Sequence, residues 1–261
     1  MSPPIRLALL VCDTPLPAIV AQHGDYRDVF RRLFIDSLPP HRKDDLILDA
    51  YDVVKEMSYP PPDEEYGGVV LTGSAASAYE NVEWINGLVA YMAELIETKP
   101  QVKIFGICFG HQIISRALGS DCVPNDGKWE VGVTPVELTE TGKQLFGDKS
   151  TLNIHQMHRD HVPSVPTSCQ LLATSSICLN QGYIRYTPGS VSKDIRNIQI
   201  FTLQGHPEFT ASISNLVITA RSSTGVIPKD LAEDAEKRNK ELQSDGVSVV
   251  GRAIWAILGV E

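Results

Sequence analysis

Val102-Lys103-Ile104-Phe105-Gly106-Ile107-Cys108-Phe109-Gly110-His111-Gln112 is the stretch on which the reading turns. An apolar run leads straight into Gly-x-Cys-x-Gly, and a helical pattern follows without a break. The spacing predicts a strand over 102–107, a tight turn at Cys108 and a helix over 109–118. A nucleophile on such a turn needs small neighbours, because flanking side chains would collide with the backbone beside them. The helix that starts there aims free N–H groups and the positive end of its dipole at the sulfur, which favours the thiolate. The Phe109 N–H then faces the position where an oxyanion develops during acyl transfer. Cys108 is therefore a candidate nucleophile. The competing reading is a buried structural cysteine ahead of a core helix.

Working outward, strands are predicted over 5–12, 46–54 and 69–72. A helix over 26–38 puts Val29, Phe30, Leu33 and Phe34 on one face, and another over 84–98 aligns Ile85, Leu88, Val89, Met92 and Leu95. Residues 59–62 are a proline-rich break. This alternation predicts an α/β fold with a mostly parallel central sheet and helices on both faces. Beyond Gly119 the pattern becomes a small antiparallel strand region, with strands over 131–138, 151–154, 170–174, 182–186 and 198–203 and a short helix near 142–146. Helices over 212–221, 230–243 and 247–258 close the chain. With no linker, one domain over 1–261 is expected. The polar stretch 188–196 reads as a surface loop, with a lid over the site as the second reading.

The chain has 261 residues and a net charge of -9. That balance argues against nucleic acid, whose binders need a basic patch to displace counterions. The apolar run near the N-terminus is too short to span a membrane and follows no basic segment, so a membrane is not expected. Cys12, Cys108, Cys122, Cys169 and Cys178 form no Cys-x-x-Cys pair, which points to the reducing cytoplasm rather than to a disulfide framework. His155, His158 and His161 recur every three residues in what reads as a loop. That is not the convergence a metal needs, so neither a metal nor a cofactor is expected.

A cysteine nucleophile needs a base, and the base needs an orienter. Gly205-His206-Pro207-Glu208 follows the strand over 198–203, and strand ends are where open α/β sheets place their sites. Pro207 keeps His206 out of a helix, and Glu208 can reach the far ring nitrogen. His206 is thus the candidate base and Glu208 its partner. His111 reads as a helix residue with a satisfied ring nitrogen, directed away from Cys108.

GICFGHQ at 106–112 and GHPEF at 205–209 together resemble the class I glutamine amidotransferases. The resemblance continues through LTGSAASAYE at 71–80, KWEVG at 128–132 and QMHRDHV at 156–162, in the family's order. It implies a flavodoxin-like fold and a Cys108-His206-Glu208 triad, with the N–H groups of Gly73 and Phe109 as oxyanion hole. It also implies that Gln112, Trp129, Glu130, His158, Arg159 and Asp160 bind the γ-glutamyl unit of a small-molecule substrate. The implied chemistry is cleavage of glutamine or a γ-glutamyl amide through a γ-glutamyl thioester. With no P-loop in the chain, three alternatives stand beside a hydrolase that works alone. They are a glutaminase subunit feeding ammonia to a separate synthase, a tailoring enzyme for a specialised metabolite, and a non-catalytic relative. The wording at 71–80 and 156–162 looks most like the stand-alone members, including the γ-glutamyl peptidases. Residues 191–197 look inserted relative to them, in a loop expected to border the site.

Overall fold

The structure, a computed structural model, describes residues 4–260; the expected domain over 1–261 runs past these limits at both ends. The described residues form twelve strands and eight α-helices. The first half comprises β1 (Ile5–Val11), α1 (Pro17–His23), α2 (Tyr26–Ser37), β2 (Leu46–Asp52), β3 (Gly68–Leu71), α3 (Glu83–Thr98), β4 (Lys103–Ile107) and α4 (Phe109–Ala117). Then come β5 (Val123–Pro124), β6 (Glu130–Leu138), α5 (Glu140–Phe146), β7 (Thr151–His158), β8 (Asp160–His161), β9 (Gln170–Leu171), β10 (Ala173–Thr174), β11 (Gly182–Tyr186) and β12 (Ile198–Leu203). The last helices are α6 (Ala211–Ser223), α7 (Lys229–Glu241) and α8 (Arg252–Ile257), the last entered through a π-helical turn.

The main sheet has the order β2-β1-β3-β4-β12-β11-β9. β2, β1, β3, β4 and β12 are parallel; β11 pairs antiparallel with β12, and β9 pairs antiparallel with β11. β1 shows why the parallel part forms: Leu7, Ala8, Leu9 and Leu10 have no exposed surface. A strand apolar on both sides fits only a sheet covered on both faces. One face packs on α2 and α8 through Phe30, Phe34 and Trp255. The other packs on α3 and α4 through Ile85, Leu88, Met92 and Ile113. The helix α2 starts at a capping box between Asp25 and Asp28, which satisfies donors that the first turn leaves unpaired. A second sheet, β10-β6-β7, and the ribbon β5-β8 supply the antiparallel region. Among the described residues no helix is long and apolar enough to cross a membrane.

Several expectations change. Residues 17–23 form a helix, which the sequence pattern did not reveal. The strand predicted over 151–154 continues to His158, so His155 and His158 lie on a strand rather than in a loop. Three residues apart on a strand, they point to opposite faces. The strand over 170–174 is broken in two, β9 joining the main sheet and β10 the small one. The loop after β11 enters β12 at its N-terminal end, and Lys103 at the start of β4 donates to the Arg196 carbonyl. Cys108 follows the opposite end of β4, so residues 187–197 do not border it. Both the lid reading and the expected proximity of the insertion fail on the direction of β12.

His111 on α4 faces the core. Its Nδ1 lies 2.9 Å from Thr202 Oγ1, and its ring packs on Tyr183. Burial, helped by the charge of His158, pushes its pKa down to about 3. Burial and the charge of His206 push that of His155 down to about 4. The folded chain therefore holds neutral rings that an unfolded chain protonates below the ordinary value of 6.5. Their contribution is complete above that value and is lost as pH falls towards 4 and then 3. Each ring should subtract up to about 1.4 kcal/mol per pH unit in that window. Urea unfolding at neutral and mildly acidic pH should show this loss. His111→Asn, which keeps a donor for Thr202, should have the shallower pH dependence.

Candidate functional site

The C-terminal ends of β1, β3, β4 and β12 converge where strand order reverses on either side of β1, the place where open α/β sheets bind ligands. Cys108 sits between β4 and α4 with φ 51° and ψ -102°, a conformation that costs a non-glycine residue energy. Its N–H donates to the Leu203 carbonyl at 2.8 Å, which ties the turn to β12. A Cβ at Gly106 would lie 2.5 Å from Ile114, and one at Gly110 2.6 Å from the Leu71 side chain. Both glycines are there for close approach. Phe109 stacks on Trp84 with ring centroids 5.5 Å apart, fixing the first turn of α4.

His206 enters from the loop after β12. Its N–H donates to the His155 carbonyl at 2.8 Å, and its ring stacks on Phe209 at 4.1 Å. Nδ1 lies 2.7 Å from Glu208 Oε1, and the Glu208 side chain has no exposed surface. Burial alone would lower the His206 pKa. The negative charges of Glu208 and of the Cys108 sulfur outweigh it and raise the value to about 10. The ring thus favours the imidazolium. Gly73, at the end of β3, closes the third side: a Cβ there would lie 2.8 Å from His206 Cε1 and 3.7 Å from Cys108 Cβ.

A cleft of about 250 Å³ opens over Cys108, lined among others by Ser74, Gln112, Trp129, His158, Asp160 and Arg221. Asp160 accepts a hydrogen bond from Ser77 Oγ at 2.6 Å on Oδ2, while its other oxygen, Oδ1, is buried with no hydrogen bond and lies 4.0 Å from Arg159 Nε. Arg159 is half exposed and lies 5.8 Å from the centre of the Trp129 ring. Arg221, from α6, lies 5.5 Å from the same ring. Burial lowers the Arg221 pKa, while the charges of Cys108, Tyr26 and Asp13 raise it.

One residue expected at the substrate is placed differently. Glu130 is absorbed beneath the cleft: Ser175 Oγ and Gln181 Nε2 donate to it, and His158 Nε2 lies 2.9 Å away. Burial opposes its charge, but those three neighbours hold its pKa below the ordinary carboxylate value. Glu130 therefore supports His158 instead of reaching a ligand. Gln112 does line the cleft, with its amide NH₂ engaged by the Asp160 carbonyl and by Gln204, both at 3.1 Å. His158 Nδ1 donates to the Asp160 carbonyl at 3.0 Å. Gln204, Arg221, Ser77 and Asp13, whose carboxylate accepts from the Ala75 N–H at 2.6 Å, carried no local sequence signal.

Donor atoms of Glu130, His158 and Cys178 lie within 4.8 Å of one another. The set fits a metal poorly. The carboxylate is already saturated with hydrogen bonds, and burial followed by the charge of Glu130 pushes the Cys178 thiol up to about 12, away from the thiolate a metal would bind. A cavity of about 400 Å³ between residues 60–66 and α3 lies at the other end of the strands and is lined by no cysteine, serine or histidine.

A parallel sheet with a cysteine on its strand-turn-helix elbow and a buried His-Glu pair at the same edge defines the glutamine amidotransferase class of α/β proteins. Residues 45–223 match the family model described as glutamine amidotransferase class-I, and the chain belongs to that family. It is 34% identical to a glutamine amidotransferase-like protein of Schizosaccharomyces pombe over 90% of this chain and 92% of the relative. It is 26% identical to gamma-glutamyl peptidase 3 of Arabidopsis thaliana, over 92% and 91%. The crystal structure of a glutamine amidotransferase from Thermotoga maritima superposes with a TM-score of 0.69 at 21% identity, covering 97% of this chain and 98% of that one.

Proposed function

We propose that this chain is a stand-alone cysteine hydrolase that cleaves glutamine or a γ-glutamyl amide through a γ-glutamyl thioester on Cys108. The observation that carries the reading is His206 held 2.7 Å from Glu208 and facing, across Gly73, the same space as Cys108: a Cβ at Gly73 would lie 2.8 Å from His206 Cε1 and 3.7 Å from Cys108 Cβ. In this mechanism the thiolate attacks the side-chain carbonyl of the γ-glutamyl unit. The N–H groups of Gly73 and Phe109 receive the oxyanion, each such donor being worth about 3 kcal/mol. His206 gives its proton to the leaving amine, then takes one from water as the thioester is hydrolysed to glutamate. Glu208 holds the ring and its charge throughout.

In this reading Asp160, whose Oδ1 accepts no hydrogen bond, takes the α-ammonium group, and Arg159 and Arg221 beside Trp129 take the α-carboxylate. Glu130 acts through His158, which braces the Asp160 carbonyl. Asp160→Asn should raise KM by roughly 10–100-fold with a smaller change in kcat, since it removes a charge-assisted bond made in the ground state as well. Equal loss in kcat at unchanged KM would remove Asp160 from substrate binding.

Residues 1–261 are taken as one working unit. The relatives named gamma-glutamyl peptidases favour turnover without a synthase. The test is to incubate the chain alone with glutamine, glutathione and a simple γ-glutamyl amide and to measure glutamate. Release that disappears in Cys108→Ala is the expected result. No release from any of the three, restored by a synthase partner, would replace this reading with that of a glutaminase subunit.

A further inference from the structure

Behind the Cys108 sulfur runs a chain of buried amides whose direction is dictated by one backbone atom. The Asp160 carbonyl can only accept. It is 3.1 Å from one end of the Gln112 amide, so that end is the NH₂. The same NH₂ lies 3.1 Å from the Gln204 amide, so the facing end of Gln204 is its oxygen. The remaining end of Gln204, its NH₂, then lies 3.5 Å from Cys108 Sγ. A glutamine amide can turn over; a main-chain carbonyl held by His158 Nδ1 as well as by Gln112 cannot. The donor at the sulfur is thus imposed from Asp160, two side chains away.

We propose that Gln204 is a catalytic residue, a fixed amide donor that holds the Cys108 sulfur as a thiolate aimed for attack, with its polarity set by Gln112 and the Asp160 carbonyl. This rests on the role proposed above for Cys108. An N–H donor favours the charged form of its acceptor, and the effect grows where water is excluded. Gln204 has no exposed surface and Cys108 is 5% exposed. Ionisable groups whose electrostatics include Cys108 are His206 from the loop after β12, Arg221 from α6, Tyr26 from α2 and Cys122 from the segment after α4, with Glu208 behind His206. Gln204 moves no proton; the thiol proton goes to His206. Asp160 stands at both ends of the arrangement, its side chain at the cleft and its carbonyl anchoring the amides, so seating a ligand on Asp160 also seats the donor at the nucleophile.

Two variants separate this from a packing role. Gln204→Met keeps the length and removes the donor without adding charge. Gln112→Glu touches no sulfur, but its carboxylate cannot donate to Gln204, which should then turn its NH₂ towards residue 112 and its oxygen towards Cys108. Alkylation of Cys108 by iodoacetamide, mapped to residue 108 by mass spectrometry, is the readout, alongside glutamate release. Both variants should be alkylated about tenfold more slowly than the wild type at neutral pH, the size of one pH unit in thiolate fraction, with the gap closing in alkaline buffer. A purely structural loss would slow both conditions alike. If Gln204→Met does not fold, Gln112→Glu carries the test. Wild-type alkylation rates at neutral pH in a folded variant would overturn the role of Gln204 while leaving the hydrolase reading intact. A wild-type Cys108 that is sluggish at neutral pH and releases no glutamate would overturn both.

Discussion

Cys108→Ala is expected to lower glutamate release by roughly 10⁴-fold or more, and Cys108→Gly to do the same while being the more stable of the two variants. The loss follows from the chemistry: without sulfur there is no thioester, and water positioned by His206 alone is a poor substitute. The stability order follows from the turn. Cys108 is held at φ 51° and ψ -102° by its bond to Leu203 and by the start of α4. Such a conformation costs a residue with a side chain about 1–3 kcal/mol, whereas at an ordinary position glycine is the worse choice by about 0.5–1 kcal/mol. The strain should outweigh the entropy, leaving Cys108→Gly about 1 kcal/mol above Cys108→Ala in urea unfolding. An alanine variant as stable as the glycine one would mean that the elbow stores no strain. Residual turnover within a hundredfold of wild type would remove Cys108 from the mechanism.

Glu208→Gln is expected to lower kcat by roughly 10³–10⁴-fold with KM little changed. Two effects combine. The carboxylate is a principal charge that overcomes burial and raises the His206 pKa to about 10, so a neutral amide weakens the imidazolium. An amide can also present its NH₂ to Nδ1, which forces the ring proton onto Nε2, the nitrogen that must take it up. Alkylation of Cys108 at neutral pH should slow in parallel, because the thiolate loses its counter-charge. A Gln variant within tenfold of wild type on both measures would show that Glu208 only fills space.

Particular residues show how much of this was legible beforehand. The elbow could be read because each part is local: the apolar run of β4, the glycines at 106 and 110, and the helical period that follows. His206 and Glu208 could be paired because two residues across a proline leave little freedom. The loop over 188–197 could not be placed, since whether it borders the site depends on which way β12 runs in the sheet. Glu130 was expected at the ligand because it is a carboxylate beside Trp129. Its actual partners, Ser175, Gln181 and His158, come from β7 and from the segment between β10 and β11, and no local pattern announces them.

By itself the sequence determined the alternation of strand and helix, the elbow that carries Cys108 and the pairing of His206 with Glu208, because periodicity, glycine and proline act over a few neighbouring residues. The tertiary structure alone decided that Gln204, 96 residues from Cys108, donates to its sulfur, that Arg221 reaches the cleft from α6, and that Glu130 lies under His158. Those are contacts between distant segments, set by strand order and by the need of each buried polar group for a partner, and neither is written in any short stretch of the chain.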